Sequence, residues 1–315
     1  MTKVIGKITN DDMATHSLVP YLFDEGHFKT KQEVLDQCIR AKHGENVRSP
    51  QTLRQRTGDV LENPLIIEVA KRLGLSDVQV EVTEKVVHPF LPLEGSLDGI
   101  GYADNLLIKP DVENGIYTIG SSEILLNGRM PIEVKCSSQF PTDEPPNWLG
   151  VMQLKAAMST LQANAGILII LYQSTDLRVY IYQKDYEFEE QLTEKVIDFD
   201  RRIKEEEYFT PQITRDAYVK HPEAIPDEVK ILPEGTDTYI NQLLTTKDMI
   251  KKLQATADAL QAQIMDQMGN ASEGRIGEHV VHWKMRNFKA QAEKIVPAKD
   301  AYEIRSKTLT IKDVG

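Results

Sequence analysis

The spacing of apolar residues in the first part of the chain changes from helical to strand-like. Apolar residues recur at helical spacing within residues 32–43 and 65–73, so two helices are predicted there. From residue 78 to residue 86 apolar and polar residues alternate, which predicts a half-buried strand. Further strands are predicted at residues 93–102, 116–125 and 130–136, separated by turn-forming stretches at 109–115 and at Asn127-Gly128.

The middle of the chain repeats this change from helix to strand. Residues 147–163 carry apolar residues along one helical face, residues 165–173 form a continuous apolar run typical of a central strand, and residues 177–183 alternate. The order of elements predicts an α/β domain with a mixed central sheet flanked by helices.

A second segment is predicted after a linker. Prolines at 222, 226 and 233 indicate a linker over residues 221–237, so the core domain is predicted to span residues 1–220. Within residues 238–268, apolar residues recur at alternating spacings of three and four, which predicts an amphipathic helix able to form a coiled coil. A small β-like tail would complete a C-terminal appendage over residues 238–315.

Composition narrows the setting of the protein. The 315 residues, 41% of them hydrophobic, suffice for a core domain plus a helical appendage. The longest apolar run, residues 167–172, is far too short to cross a membrane, and the N-terminus lacks a basic segment followed by an apolar one. Two cysteines are too few for a disulfide framework or an iron–sulfur cluster. We therefore expect a soluble cytoplasmic protein without a membrane partner.

The charge of the chain is the first argument about nucleic acid. A net charge of −11 opposes phosphate binding, which draws affinity from lysine and arginine. Net charge, however, does not describe a local channel, and the first half of the chain holds basic residues such as Arg54 and Arg56 while acidic residues cluster in the second half. Whether the protein binds nucleic acid must therefore be judged from its motifs.

The segment from Pro131 to Lys135 carries the most informative chemistry. Alternate residues of a strand share a face, so Glu133 and Lys135 point together. A second carboxylate, Asp98, lies upstream, and a hairpin between the two would bring it alongside. Paired carboxylates hold Mg²⁺ or Mn²⁺, and a lysine beside them can stabilise charge on a phosphate or orient the attacking water. An ordinary surface ion pair is the alternative for an isolated E-x-K motif.

The context of this motif resembles the PD-(D/E)xK nuclease fold. More narrowly, residues 13–185 resemble the phage lambda-type exonuclease, or YqaJ-like viral recombinase, family. The resemblance rests on the order and spacing of four patches: residues 58–64 (GDVLENP), residues 88–99 (His88-Pro89 through Leu97-Asp98-Gly99), Ile132-Glu133-Val134-Lys135, and Met152-Gln153-Leu154.

The resemblance implies a metal site. Asp98 and Glu133 would be metal ligands, the backbone carbonyl of Val134 a further ligand, Glu62 the helix-borne acid that completes the site, and Lys135 the catalytic lysine. The implied cofactor is Mg²⁺, with Mn²⁺ able to replace it.

For two of the implied residues, Glu62 and Gln153, the sequence also allows an ordinary structural role. Gly58, Glu62, Leu65 and Val69 fit one helical stripe, yet Pro64 suits the first turn of a helix that starts at Asn63, which would make Glu62 an ordinary acid near a helix start.

Gln153 is implied to orient groups at the site. A solvated glutamine on a helix is the alternative.

The family's N-terminal motif, an arginine followed by a turn that ends in serine, binds the 5′-phosphate of a DNA end. Here Ser17 is the nearest match, but no arginine precedes it. Arg54 and Arg56 can supply the missing charge as bidentate phosphate donors, or they are simply solvated.

The resemblance implies an Mg²⁺-dependent exonuclease that digests linear double-stranded DNA from 5′ to 3′ and leaves a 3′ single strand for recombination. The implied partners are DNA ends, a single-strand annealing recombinase and, by analogy, further copies of the chain; a phage-encoded protein would work in the host cytoplasm. An endonuclease on the same core is one alternative. A non-catalytic DNA-binding scaffold is the other, although it has no reason to keep Asp98, Glu133 and Lys135 together.

Overall fold

A computed structural model describes residues 9–80 and 82–285 of the chain. The chain divides into two compact units, and the boundary lies between Pro222 and Glu223. The first unit is described over residues 9–80 and 82–222, the second over residues 223–285. The expected division at residues 220 and 237 stays a prediction.

The first unit contains nine strands and six helices within its described residues. Its helices are α1 Val19–Leu22, α2 Lys31–Lys42, α3 Leu53–Leu73, α4 Met152–Leu161, α5 Tyr186–Glu205 and α6 Thr214–Lys220. Its strands are β1 Ala14–Thr15, β2 Asp77–Val80, β3 Val86–Val87, β4 Leu93–Gly95, β5 Gly99–Ile108, β6 Ile116–Ile119, β7 Ile124–Ser137, β8 Ala165–Tyr172 and β9 Asp176–Gln183.

Six of these strands form the central sheet, in the order β2-β5-β7-β8-β9-β6. The pairs β7·β8 and β6·β9 are parallel, and the other neighbours are antiparallel. Strand β8, the continuous apolar run, lies between β7 and β9 and is buried along nearly its whole length. The predicted mixed α/β architecture is confirmed.

Helices cover both faces of this sheet, and the alternation along β7 decides what each helix contacts. Ile132 and Val134 pack in one hydrophobic cluster with Ile66 and Val69 of α3. On the opposite face, Leu168 and Ile170 of β8 pack with the first turns of α4. Glu133 and Lys135 therefore point to the α4 side, because side chains alternate along a strand.

A further layer packs outside α4. The apolar residues of α1, α2 and α5 form one cluster with Met152 and Ala156 of α4. A small sheet of β1, β4 and β3 is tied to α4 by two buried histidines: His16 Nε2 lies 2.8 Å from Thr160 Oγ1, and His88 Nε2 lies 3.3 Å from Ser159 Oγ. This layer holds the segment before Asp98 against α4.

Helix α3 differs from its prediction, and the difference changes the position of Glu62. A capping box between Thr52 and Gln55 starts the helix at Leu53, and it runs through Pro64. The interpretation of a helix that starts at Asn63 is wrong. Pro64 lies on the exposed side, where the carbonyl that loses its N–H partner can be hydrated.

Five predicted elements are broken or moved. The predicted strand at 78–86 is divided between β2 and β3, which belong to different sheets. The predicted strand at residues 93–102 is interrupted between β4 and β5, and the one at 116–125 is interrupted between β6 and β7. Asn127-Gly128 lies inside β7, opposite an irregularity of β5 near Asn105, which has a φ of 50°. The predicted helix at 147–163 begins as an irregular turn over Asn147–Val151 before α4.

The second unit consists of helix α7, Thr236–Met268, and a hairpin of β10 Glu273–Ile276 and β11 His279–His282. The predicted amphipathic helix is confirmed, and none of its residues is buried. The predicted β-like tail beyond residue 285 lies outside the described residues. Within the described part of the chain, no helix is both long and apolar enough for a membrane span.

Candidate active site

The candidate site lies where β7 extends beyond its neighbour β5. Gly99, the first residue of β5, pairs with Ile132, and β7 continues to Ser137. The backbone N–H of Val134 donates to Asp98 Oδ2 over 2.8 Å, in place of a strand partner. Since the N–H and the carbonyl of one strand residue point to the same edge, the Val134 carbonyl faces the same space.

Glu133 and Lys135 occupy the α4 side of this strand end. Lys135 Nζ donates to Glu133 Oε1 in a direct ion pair. The Glu133 side chain is 3% exposed, whereas that of Lys135 is 30% exposed. The carboxylate is therefore shielded from water, whereas part of the lysine side chain is exposed.

Glu62 approaches the cluster from α3. It is half-buried, and its pKa is raised to about 7 by burial first and then by the nearby carboxylates of Asp98 and Asp59. Because Glu62 also acts electrostatically on Glu133 and Lys135, it belongs to the same charge cluster.

The electrostatics of the cluster are unbalanced. Burial and the neighbouring Asp98 raise the pKa of Glu133 to about 8, even though Lys135 opposes this shift. Burial also raises the pKa of Asp98, against the opposing effects of Lys135 and the Val134 N–H. Burial lowers the pKa of Lys135, but the carboxylates of Glu133 and Asp98 outweigh it and raise that pKa overall. Three carboxylates thus share one ammonium.

This donor set fits a hard divalent cation. Carboxylate oxygens and a backbone carbonyl are the ligands that Mg²⁺ prefers, and a cation would relieve the repulsion that raises these pKa values. Within residues 9–80 and 82–285, no three acidic, histidine or cysteine side chains stand arranged as a ready set of metal ligands. Two of the carboxylates instead face protein donors: Glu133 contacts Lys135, and Asp98 accepts the Val134 N–H. Glu133 would have to turn from Lys135 to bind a cation.

Gln153 lies in the first turn of α4, the helix that packs on the Glu133 face of β7. It is half-buried, and its side chain forms no hydrogen bond with any other described residue. Its implied role of orienting groups at the site stays a prediction.

A cleft of about 690 Å³ adjoins the cluster. It runs between the first half of α3 and the ends of β7 and β8, and it is lined by Leu53, Arg54, Thr57, Gly58, Leu61, Cys136, Ser137, Ser138, Leu171, Gln173 and Ser174. Glu62, Asp98, Glu133 and Lys135 do not line the cleft; its link to them is Cys136, on whose thiol both Glu62 and Lys135 act electrostatically.

The two arginines predicted to bind a DNA end have different positions. Arg54 lines the cleft and acts electrostatically on the Cys136 thiol. Arg56 is exposed and does not line it. The structure therefore places one of the two predicted cations beside the site.

Ser17 lies in a short turn that follows β1. Its hydroxyl is 3.1 Å from Thr15 Oγ1, and the residue is exposed. Strand β1 pairs in parallel with β4, with Thr15 opposite Glu94, and β4 leads toward Asp98. Because the two strands are parallel, the turn after β1 and the segment after β4, which leads to Asp98, leave the small sheet at the same end.

Sequence reasoning missed two residues near the site. Asp59, one helical turn before Glu62, raises the pKa of both Glu62 and Asp98, and its carboxylate accepts a hydrogen bond from Gln51. The three-residue spacing between Asp59 and Glu62 places both on one face of a helix, and this could have been seen in the sequence. The other is Gly150, whose backbone contacts Lys135 and which stood out only as a glycine inside a predicted helix.

No known protein-family profile and no curated protein matches the sequence. The fold is similar to that of the alkaline exonuclease LHK-Exo from Laribacter hongkongensis, with a TM-score of 0.42 and 14% identity over 62% of this chain and 92% of that chain. For LHK-Exo in complex with dAMP the TM-score is 0.43 and the identity 15%, with the same coverage. A phage-related exonuclease from Haemophilus somnus 129PT gives 0.41 and 16%, over 62% of this chain and 96% of that chain.

Proposed function

We propose that this protein is a divalent-metal-dependent deoxyribonuclease that digests linear double-stranded DNA from an end. The observation that carries the proposal is the surplus of carboxylates at the end of β7, where buried Glu133 and half-buried Glu62 and Asp98 all act electrostatically on one lysine. Such a surplus is costly in a folded protein unless a cation balances it.

The residues have distinct chemical roles in this proposal. Glu62, Asp98, Glu133 and the Val134 carbonyl would hold the cation, which when bound neutralises phosphate charge and acidifies water. Lys135, whose side chain is partly exposed, stabilises charge on the scissile phosphate or orients the attacking water. Gln153 orients groups from α4.

The cleft gives the DNA strand a place next to these residues. Its lining combines serine and glutamine side chains, which can donate hydrogen bonds to phosphate oxygens, with apolar residues and Arg54. Arg54 supports the view that a phosphate binds there, since an arginine can donate two parallel hydrogen bonds to it.

The finer parts of the proposal concern polarity and biological use. Ser17 and Arg54 would bind a terminal 5′-phosphate, with Arg56 further out, so that digestion runs 5′ to 3′ and leaves a 3′ single strand for a recombinase. The position of Ser17 beside the segment that leads to Asp98 supports this choice of end.

Incubation with linear and covalently closed circular duplex, each with Mg²⁺ or EDTA, tests the proposal. We expect Mg²⁺-dependent release of nucleotides from the linear DNA and no cutting of the circle. Cutting of the circle would favour the endonuclease. Equal activity in EDTA would refute the metal site, and DNA binding without hydrolysis would favour a scaffold.

Helix α7 supports self-association. Its a positions are Leu243, Ile250, Ala257 and Ile264, and its d positions include Leu253 and Leu260. β-Branched residues at a, here Ile250 and Ile264, with leucine at d favour two-stranded coiled coils. The e and g positions are mostly uncharged, so a second copy meets little charge repulsion. Sedimentation should show a dimer for the full chain and a shift toward monomer for Leu253→Asp. A monomeric wild type would refute self-association.

A further inference from the structure

The turn before α4 brings its backbone against the lysine of the candidate site. Within Asn147–Val151, Leu149 (φ −88°, ψ 53°) and Gly150 (φ 91°, ψ −18°) depart from helical geometry. A φ of 91° favours glycine, because other residues adopt it only with strain. Gly150 is buried, so this geometry is part of the packed interior.

The space around Gly150 is as restrictive as its backbone. A Cβ atom at this position would lie 3.1 Å from Lys135 Cγ and 3.4 Å from Lys135 Cε. It would also lie 2.8 Å from Leu168 Cδ1, on the strand residue that pairs with Glu133. The glycine backbone is therefore in contact with the methylene stem of the lysine.

We propose that Gly150 is a positioning residue that holds the Lys135 ammonium beside Glu133. A lysine side chain has several rotatable bonds and loses much conformational entropy when it is fixed. The contact with Gly150 restricts the stem to the side of β7 on which Glu133 lies. Among the described residues, the ammonium has no hydrogen-bond partner other than Glu133, so the packing of the stem sets where the ammonium meets this carboxylate. This inference rests on the proposed nuclease function, because it assigns a position to the catalytic lysine.

The test compares two glycine-to-alanine variants with different surroundings. In Gly150→Ala the added methyl group displaces the lysine stem, and displacement of a catalytic group by about 1 Å lowers turnover by about 10²-fold. We expect kcat on linear duplex to fall by that factor while KM for DNA changes by less than about twofold. Gly120→Ala is the matched control: Gly120 has a φ of +83° but open space around its Cβ direction. It should keep kcat.

The outcomes separate three failures. Wild-type protein without any nuclease activity refutes the proposed function. An active wild type with an equally active Gly150→Ala variant overturns the positioning role. Equal loss in both variants assigns the effect to backbone strain and also overturns it.

A thermal unfolding cycle with Lys135→Ala tests the contact without activity. Gly150→Ala should cost less stability when the lysine stem is absent, and an equal cost in both backgrounds overturns the contact. If Gly150→Ala does not fold, the kcat comparison is made between Leu168→Val and Leu168→Val with Gly150→Ala, since the shorter side chain relieves the nearest clash. An unchanged kcat in that pair likewise overturns the proposal.

Discussion

Among its described residues, the first unit contains two buried glutamates, each paired with a lysine, in different electrostatic surroundings. Glu94 of β4 and Glu133 of β7 each have a side chain that is 3% exposed, and their partners Lys85 and Lys135 are 35% and 30% exposed. Glu94 Oε2 accepts from Lys85 over 2.7 Å, and Glu94 Oε1 accepts the backbone N–H of Asn10. Both oxygens of Glu94 therefore have a donor.

Glu133 shares its lysine with other acids. Asp98 and Glu62 act on the same carboxylate, and its pKa is raised to about 8 by burial and by Asp98 despite the ion pair. The comparison shows that a buried Glu–Lys pair does not by itself indicate function. A balanced pair joins two segments of the fold, whereas a pair with surplus carboxylates is suited to a cation.

The largest expected effect separates the two glutamates directly. Glu133→Gln should lower Mg²⁺-dependent nuclease activity by about 10³-fold or more, because a cation ligand is lost. Glu94→Gln should keep activity but lose about 1–2 kcal/mol of unfolding free energy, a value reduced from that of a fully buried pair because Lys85 is one-third exposed. Rates on labelled duplex and urea unfolding provide both measurements. Equal losses of activity would remove the distinction.

Substitution of the two lysines should change turnover by different factors, and the difference should be smaller than that between the two glutamate variants. Lys135→Ala should lower turnover by about 10²–10³-fold, since the ammonium acts on charge that develops in the transition state. DNA and metal affinity, measured with Ca²⁺ in place of Mg²⁺, should persist. Lys85→Ala, the matched control, should keep turnover. If Lys135→Ala weakened DNA binding and left turnover unaltered, Lys135 would be a plain phosphate contact.

The pH dependence of stability should also distinguish the pairs. The pKa of Glu133 is about 8 and that of Glu62 about 7 in the folded protein, above the ordinary glutamate pKa of 4.5. The folded state therefore binds more protons than the unfolded state between pH 4.5 and 8, and stability in EDTA should fall as pH rises through this window. Calorimetry from pH 6 to pH 9 should show a drop in Tm of a few degrees, about what a loss of 1–2 kcal/mol produces.

Two controls sharpen this prediction. A divalent cation should remove the decline in Tm by neutralising the carboxylates, and Glu133→Gln should flatten it. A Tm that rises from pH 6 to pH 9 in EDTA would contradict the raised pKa values.

The smallest expected effect concerns the DNA end, outside the buried pairs. Linear duplex with a 5′-phosphate should be digested severalfold faster than 5′-hydroxyl duplex, since a terminal phosphate needs cations and hydrogen-bond donors. Ser17→Ala or Arg54→Ala should narrow the difference, whereas Arg56→Ala should change it less, because Arg56 does not line the cleft. Equal initial rates on the two wild-type substrates would refute 5′-phosphate recognition.

Much of the fold followed from local patterns. The alternation around Glu133 predicted its strand and the shared face with Lys135, and the continuous apolar run predicted the central strand β8. These predictions hold because side-chain alternation and burial are set by the strand itself. Pattern also predicted α7, whose heptad spacing is visible in the sequence alone.

The prediction failed where one local signal competed with another. Pro64 indicated a helix that starts at Asn63, but the capping box between Thr52 and Gln55 begins α3 at Leu53. Asn127-Gly128 indicated a turn, but pairing with β5 on both sides of it keeps β7 continuous. In both cases interactions with neighbouring residues or strands outweighed the conformational preference of one or two residues.

The sequence by itself determined the residue types of the candidate site, the strand that carries Glu133 and Lys135, and the heptad pattern of α7. Only the tertiary structure decided that β5 begins after Asp98, so that this carboxylate replaces a strand partner of Val134. It also decided that Glu62 reaches the cluster and that Gly150 touches the Lys135 stem. The reason is physical: strand alternation acts over neighbouring residues, whereas the burial and mutual repulsion of carboxylates depend on segments far apart in the chain.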